Sequence, residues 1–288
     1  MKLLSYSHNN QESWGAVAGD GVIDMVRLLA GKYPTLADFI GSDDYARRDE
    51  LVKGKSADVP LAAIKYLPVI PKPEKIICLV RNYLDHHKEV VAAGLQRELS
   101  DFPPIFLRVW RAQVGHLEPL VRPHVSNSFD WEGELAVIIG KGGRHIPKEK
   151  AMEHIAGYSI YNDGSIREWQ FHAKQIAAGK NFVGTGPFGP WMVTKEEIPD
   201  PANLKLETRL NGKVMQSSNT ANLIFDIPTI ISYSSDIFDL VPGDVLVTGT
   251  PGGVGWSRKP PIFMQPGDVC EVEFEGIGVL RNPVVQEA

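Results

Sequence analysis

The chain has 288 residues, 43% hydrophobic and 23% charged, with a net charge of -5 and a pI near 5.9, values of an ordinary globular protein. The acidic balance argues against nucleic acid or an anionic membrane as partner, since both favour a basic face, and points to a small molecule. No stretch approaches the roughly 18 apolar residues of a membrane span, MKLLSYSHNN is too short an apolar start for a signal peptide, and Cys78 and Cys270 read as buried free thiols, so the cytoplasm is expected.

Residues 1–70 hold short strand candidates (3–6, 15–18, 22–25) and helix-like stretches at 35–40 and 43–52, which read as a small N-terminal accessory domain. In PVIPKPEK, 68–75, three prolines block helix and weaken sheet pairing, so the boundary falls there and residues 71–288 form the main domain. That part is β-rich, with strands expected over 75–79, 105–109, 134–140, 158–161, 204–210, 245–248 and 269–274. Leu204, Leu206, Thr208 and Leu210 alternate with polar residues, and Asn211-Gly212 supplies the positive-φ pair of a two-residue hairpin. Helices are expected over 83–93, 148–155, 165–176 and 227–238.

FDWEGELAVIIGKGGR places Glu132 and Glu134 one residue apart where a buried strand begins, with Asp130 in phase. On a strand, such residues share a face. Two carboxylates about 6 Å apart repel by roughly 3 kcal/mol at an effective dielectric near 20. A divalent cation offsets that repulsion, and oxygen-only ligation favours Mg²⁺, Ca²⁺ or Mn²⁺ over zinc. The alternative is a solvated strand end paired with Lys or Arg. GYSIYNDGSIREWQ offers a third oxygen ligand in Asp163, which by itself is also consistent with an Asx turn. Ser165 and Glu168 have capping-box spacing, which predicts a helix start that sets Arg167 and Gln170 on one face.

PGDVLVTGTPGGVG, 242–255, joins a turn, a buried strand and a Gly-rich loop whose N–H groups and threonines suit an anionic ligand; it lacks the Gly-Lys-Ser/Thr ending of a nucleotide-binding loop. In RNYLDHHKEV, His86 and Glu89 are three apart on the predicted helix, so the carboxylate can orient the imidazole as a general base, with His87 as a competing histidine. There is no Gly-x-Ser-x-Gly elbow and no cysteine beside a histidine, which leaves covalent serine or cysteine chemistry without support.

Taken in order, RNYLDHHKE, FDWEGELAVIIGK, GYSIYNDGSIREWQ, GKNFVGTGPFGPW, LNGKVMQSSNT, PGDVLVTGTPGGVG and PGDVCEVEFEGIGVLRN resemble the fumarylacetoacetate hydrolase family from about Lys75 to Val285. The resemblance implies an α+β fold, a β-rich mixed-sheet roll with a small N-terminal domain, usually a homodimer. It implies Glu132, Glu134 and Asp163 as metal ligands. It places Lys180 near the metal and substrate oxygens, Thr250 as a substrate-oxygen donor, and Arg167, Gln170, Arg81 and Tyr83 at the substrate. His86 and Glu89 fall on the pair that activates water from a mobile lid.

Departures from the family pattern are Val80 for a hinge glycine, Arg108 for a lysine, Val183 for an aspartate and Gly164 for a valine, the last expected to loosen the ligand loop. The implied activity is metal-dependent hydrolysis of a C–C bond in an acylpyruvate-like or 2,4-diketo acid, with an oxo acid as the small-molecule substrate. Decarboxylation of an oxaloacetate-like acid, and isomerisation or tautomerisation, are alternatives on the same site. A non-catalytic metal and ligand binder is a third. Substrate choice is expected to lie in the 94–104 loop and the WSRKPP segment.

Overall fold

In the computed structural model, which describes residues 1–92, 94 and 98–288, each expected strand lies close to its expected place. In chain order the principal strands are β1 (Lys2–His8), β2 (Gln11–Ala18), β3 (Gly21–Asp24), β4 (Ile76–Leu79), β5 (Ile105–Arg108), β6 (Gly133–Ile139) and β7 (Ile155–Asn162). They continue with β8 (Gly186–Thr194), β9 (Lys205–Leu210), β10 (Lys213–Asn219), β11 (Val245–Val247), β12 (Val269–Phe274) and β13 (Gly278–Gln286). The longer helices among the described residues are α1 (Leu84–Ala92) and α2 (Ile227–Ile237). The helix end expected at Ala93 and residues 95–97 of the 94–104 loop lie outside the described residues.

One large sheet runs β3-β2-β1-β8-β7-β6-β11-β4-β5. Its pairings along that path are antiparallel except β11 with β4. A second sheet runs β10-β9-β12-β13 and continues to Leu120–Arg122. The class is α+β with mixed sheets, as expected. Residues 67–75 carry no regular structure, in keeping with Pro68, Pro71 and Pro73. The N-terminal strands nevertheless join the main sheet through β1 and β8.

The unbroken apolar run of β6 follows from burial on both faces. Leu135, Val137 and Ile139 enter a core with Ile230, Ile231 and Phe274. Ala136 and Ile138 enter another, with Leu3, Trp14, Phe39 and Cys78. The β9–β10 hairpin closes at Asn211 and Gly212, with φ of 51° and 78°, as the Asn-Gly pair predicts.

Two helix expectations need correction. Over 165–176 only Arg167–Gln170 is α-helical, with a 3-10 helix opening at Ile176 (Ile176–Lys180), and Ser165–Ile166 instead pairs as a strand with Phe129–Asp130. The Ser165 hydroxyl donates to the Asp163 carbonyl, while Ser128 of another segment accepts from the Glu168 N–H, so no Ser165–Glu168 capping box forms. Lys148–His154 is a 3-10 helix rather than an α-helix.

Candidate active site

The β6–β7 register brings the third acid to the first two. Gly133 pairs with Asn162, so Glu132 and Asp163 emerge side by side, joined by the Asp163 N–H on the Glu132 carbonyl at 2.9 Å. Asn162 Oδ1 accepts from the Glu132 N–H, also at 2.9 Å. A Cβ on Gly133 would stand 2.3 Å from Thr208 Oγ1, so the residue between the two glutamates has to be glycine. Glu132, Glu134 and Asp163 are all buried, and one oxygen from each lies within 4.8 Å of the others. The exposure expected by the solvated-strand alternative fails on that burial, while the pairing with Lys and Arg that it also expects is found at Glu132.

Three buried cations surround the triad. Lys180 Nζ lies 2.6 Å from both Glu132 Oε2 and Asp163 Oδ2, and Arg167 Nη1 lies 2.6 Å from Glu132 Oε1. Arg108 Nη1 pairs with Asp163 Oδ1 and donates to the Gly164 carbonyl at 3.1 Å. Glu134 receives only the Gly249 N–H, at 2.5 Å on Oε2, and its buried Oε1 has no hydrogen-bond partner among the described residues.

The titration of the glutamates follows this asymmetry. Burial pushes Glu132 up, but Lys180 and Arg167 outweigh it and hold the carboxyl well below its usual range. Burial and the charges of Asp163 and Glu132 push Glu134 well above the usual range. An all-oxygen donor set with an orphaned buried carboxylate oxygen at its centre fits a divalent cation of the Mg²⁺, Mn²⁺ or Ca²⁺ kind.

Glu132 brings the triad to the wall of a cavity of about 490 Å³, which neither Glu134 nor Asp163 lines. Glu132, Lys180, Arg167, Gln170, Thr250 and His86 form its polar side, while Phe106, Phe171, Ile176 and Trp256 contribute apolar wall. Helix α1 brings His86 to it, and His86 Nδ1 lies 3.2 Å from Glu89 Oε2. With Nδ1 committed to a carboxylate, Nε2 is the nitrogen left to act as base. Glu89 also accepts from the Gly253 N–H at 3.1 Å and from Ser257 Oγ at 2.6 Å. Burial raises its pKa, but the hydrogen bonds from His86 and Ser257 prevail and keep the carboxyl below its ordinary value.

Other expected residues have different surroundings. Arg81 lines the cavity, with a backbone φ of 52° just before α1. Tyr83 does not line it; its ring is fully buried in the core that holds Leu79 and Leu135. The Thr250 hydroxyl donates to the Gly133 carbonyl at 3.0 Å and accepts from Gln216 Nε2 at 2.9 Å. Its single proton is therefore already engaged, and donation to a substrate requires that bond to exchange.

The family departures also acquire positions. Gly164 is not a loosened point, because the Thr185 carbonyl stands 2.1 Å from where its Cβ would be and Arg108 holds its carbonyl. Val183 is 73% exposed and lies off the cavity, whereas Val80 lines it. None of the described residues of 94–104 lines the cavity; Phe171, His172, Lys174 and Ile176 do, from the stretch that follows the short Arg167–Gln170 helix. In WSRKPP, Trp256 lines it and Ser257 reaches Glu89.

A family model described as "Fumarylacetoacetate (FAA) hydrolase C-terminal" matches residues 75–285. The chain belongs to the fumarylacetoacetate hydrolase family. Among curated relatives, the Bos taurus protein named oxaloacetate tautomerase FAHD2A, mitochondrial, is 38% identical over 272 residues, 93% of this chain and 85% of that one. Among solved structures, a putative HpcE protein from Mycobacterium smegmatis is 33% identical with a TM-score of 0.87, each chain covered in full. Maleylpyruvate hydrolase from Sphingobium sp. SYK-6, in complex with manganese(II) ion and pyruvate, is 29% identical with a TM-score of 0.81, again with full coverage of both chains.

Fumarylacetoacetate hydrolase family membership makes this chain an enzyme, and its buried acidic triad is the candidate divalent-metal site. No helix among the described residues is long and apolar enough to cross a membrane. Both cysteines are buried and free.

Proposed function

We propose that this enzyme uses a divalent cation, most simply Mg²⁺, held by Glu132, Glu134 and Asp163, to interconvert the enol and keto forms of a short 2-oxo dicarboxylic acid of the oxaloacetate kind. The observation that carries the reading is one cavity lined by both a carboxylate-oriented imidazole, His86, and Glu132 of the buried carboxylate triad. The tautomerase name of a relative that covers 93% of this chain favours that chemistry over the hydrolysis expected at first.

When bound, the cation supplies Lewis-acid stabilisation of negative charge on substrate oxygens. His86 Nε2 can carry the one proton that moves, taking it from the enol oxygen and giving it to the substrate carbon, or the reverse, so that the step balances with a single base. Lys180 is pressed toward neutrality by burial, but Asp163 and Glu132 raise its pKa, so it stays charged and meets negative charge that develops on substrate oxygen. Arg167 and Gln170, joined at 2.8 Å, and Arg81 offer donors to the substrate carboxylates. At the site Asp130, Glu132 and Asp163 each pair with Arg108, Arg167 or Lys180, whereas no ion pair forms to Glu134 among the described residues. A divalent ion would add positive charge there and suit an anionic substrate.

The second reading is hydrolysis of an acylpyruvate-like C–C bond, with His86 deprotonating water. The maleylpyruvate hydrolase of similar fold favours it. Decarboxylation is the remaining outcome. Purified protein with Mg²⁺ or Mn²⁺ is mixed with the enol of oxaloacetate, with oxaloacetate and with acylpyruvates, with and without chelator. Chelator-sensitive acceleration of enol loss without CO₂ supports the tautomerase; release of two acids, or of CO₂, replaces it. The buried thiols suit a reducing compartment, either the cytoplasm or the mitochondria named for the mammalian relative, and a homodimer belongs to the same proposal.

A further inference from the structure

Asp130 is fully buried and belongs to neither the carboxylate triad nor the cavity wall. Four N–H donors converge on it. Oδ1 accepts from the Trp131 N–H at 2.9 Å and the Gly255 N–H at 2.7 Å; Oδ2 accepts from Arg167 Nε at 2.8 Å and the Trp256 N–H at 3.0 Å. Gly255 permits this approach, since a Cβ there would stand 1.9 Å from the Ile262 carbonyl oxygen and 2.6 Å from Asp130 Oδ1.

Each branch from Asp130 leads to the active site. Arg167, held through Nε, turns Nη1 to Glu132 Oε1 at 2.6 Å. The loop held at Gly255 and Trp256 presents the Gly253 N–H and Ser257 Oγ to Glu89, which in turn holds His86. We propose that Asp130 is a positioning residue that sets two distant parts of the site at once: the guanidinium beside a metal ligand and, through residues 253–257, the Glu89–His86 pair on α1. This rests on the reading of His86 and Glu89 as the base pair.

The chemistry is specific to a carboxylate. Asparagine has the same shape but one acceptor oxygen, and its NH₂ group opposes an N–H donor whichever way the amide is turned. Ser257 tests the loop branch separately, because its hydroxyl reaches Glu89 without touching Arg167 or the triad.

The test measures Mn²⁺ affinity by calorimetry and hydrogen exchange across α1 in the intact chain, for Asp130→Asn, Ser257→Ala and Ser257→Thr. For Asp130→Asn, Mn²⁺ affinity is expected to fall about tenfold or more, and α1 amides to exchange faster while the rest of the chain keeps its protection. For Ser257→Ala, only α1 exchange rises, Mn²⁺ affinity stays as in wild type, and Ser257→Thr restores α1. Asp130→Asn with wild-type affinity and α1 exchange overturns the proposal, as does a uniform rise in exchange over the whole chain. If Asp130→Asn does not fold, unchanged α1 exchange in Ser257→Ala overturns it instead. Neither readout needs turnover, so failure here is distinct from failure of the proposed reaction.

Discussion

Arg108 and Asp163 form an ion pair with side chains only 0% and 1% exposed, and Lys180 on the other carboxylate oxygen of Asp163 completes the replacement of water there. Arg108 also reaches the Gly164 carbonyl and, through Nη2, Thr185 Oγ1 at 2.9 Å. Removing one member of such a pair costs roughly 3–5 kcal/mol. Arg108→Met is expected to lower the melting temperature sharply in chelator and to recover part of the loss when Mn²⁺ is added. Arg108→Lys keeps the charge but not the fork, and is expected to cost about 1–2 kcal/mol. Thermal melts of the three proteins with and without Mn²⁺ check this; equal losses in both conditions contradict it.

Glu134 predicts an inversion of sign. In chelator, Glu134→Gln removes a crowded carboxylate and is expected to leave stability unchanged or raised. With Mn²⁺ at about 100 times its dissociation constant, the wild type gains roughly 2.7 kcal/mol, and the variant is expected to gain far less. Urea titrations in the two conditions make the comparison. A variant that Mn²⁺ stabilises as much as it does the wild type shows that Glu134 is no ligand.

His86 carries the proton transfer in the proposed reaction. His86→Ala is expected to cut kcat by about 10²–10⁴-fold while Mn²⁺ affinity stays near the wild-type value. Glu89→Gln keeps the spacing but weakens the orienting bond, with an expected loss of about 10–100-fold. Steady-state rates on whichever oxo acid turns over, with calorimetry for Mn²⁺, test both. Undiminished turnover in His86→Ala removes it as the base.

His116 gives the fold an acid limit. Burial, reinforced by Arg281, lowers its pKa from 6.5 to about 4, and its Nδ1 accepts the Arg281 N–H at 3.1 Å, which requires a lone pair. The unfolded chain gains the proton first as pH falls, so stability is lost from about pH 6.5 down to about 4 and is fully present above that window. Its contribution is no more than about 3.5 kcal/mol, since one pKa unit is worth about 1.4 kcal/mol. His116→Gln keeps an acceptor without titrating, so its stability is expected to fall less steeply across that window in urea melts; an unchanged slope rules His116 out.

What the sequence disclosed was governed by local spacing. The Glu-x-Glu period on a strand brought Glu132 and Glu134 together, and Asn211-Gly212 announced its hairpin, because each depends on a few adjacent residues. The 165–176 helix failed because its capping partner is Ser128, far away in the chain, and because Ile166 joins a strand pair. Tyr83 and the engaged Thr250 proton were hidden for the same reason: what touches them is set by packing and by the Gly133 carbonyl. Asp130 left one sign, its phase with the glutamates, but nothing in that phase revealed the Gly255 and Trp256 N–H groups opposite.

Strand β6, which begins right after Glu132 and carries Glu134, is clamped by hydrophobic packing on either side, whereas Phe171, His172 and Lys174 line the cavity from an irregular segment between two short helices. The acidic triad is thus anchored in the tightly packed part of the molecule, while this stretch of the cavity wall is free of that packing. Substitutions there can reshape the cavity without disturbing the three carboxylates.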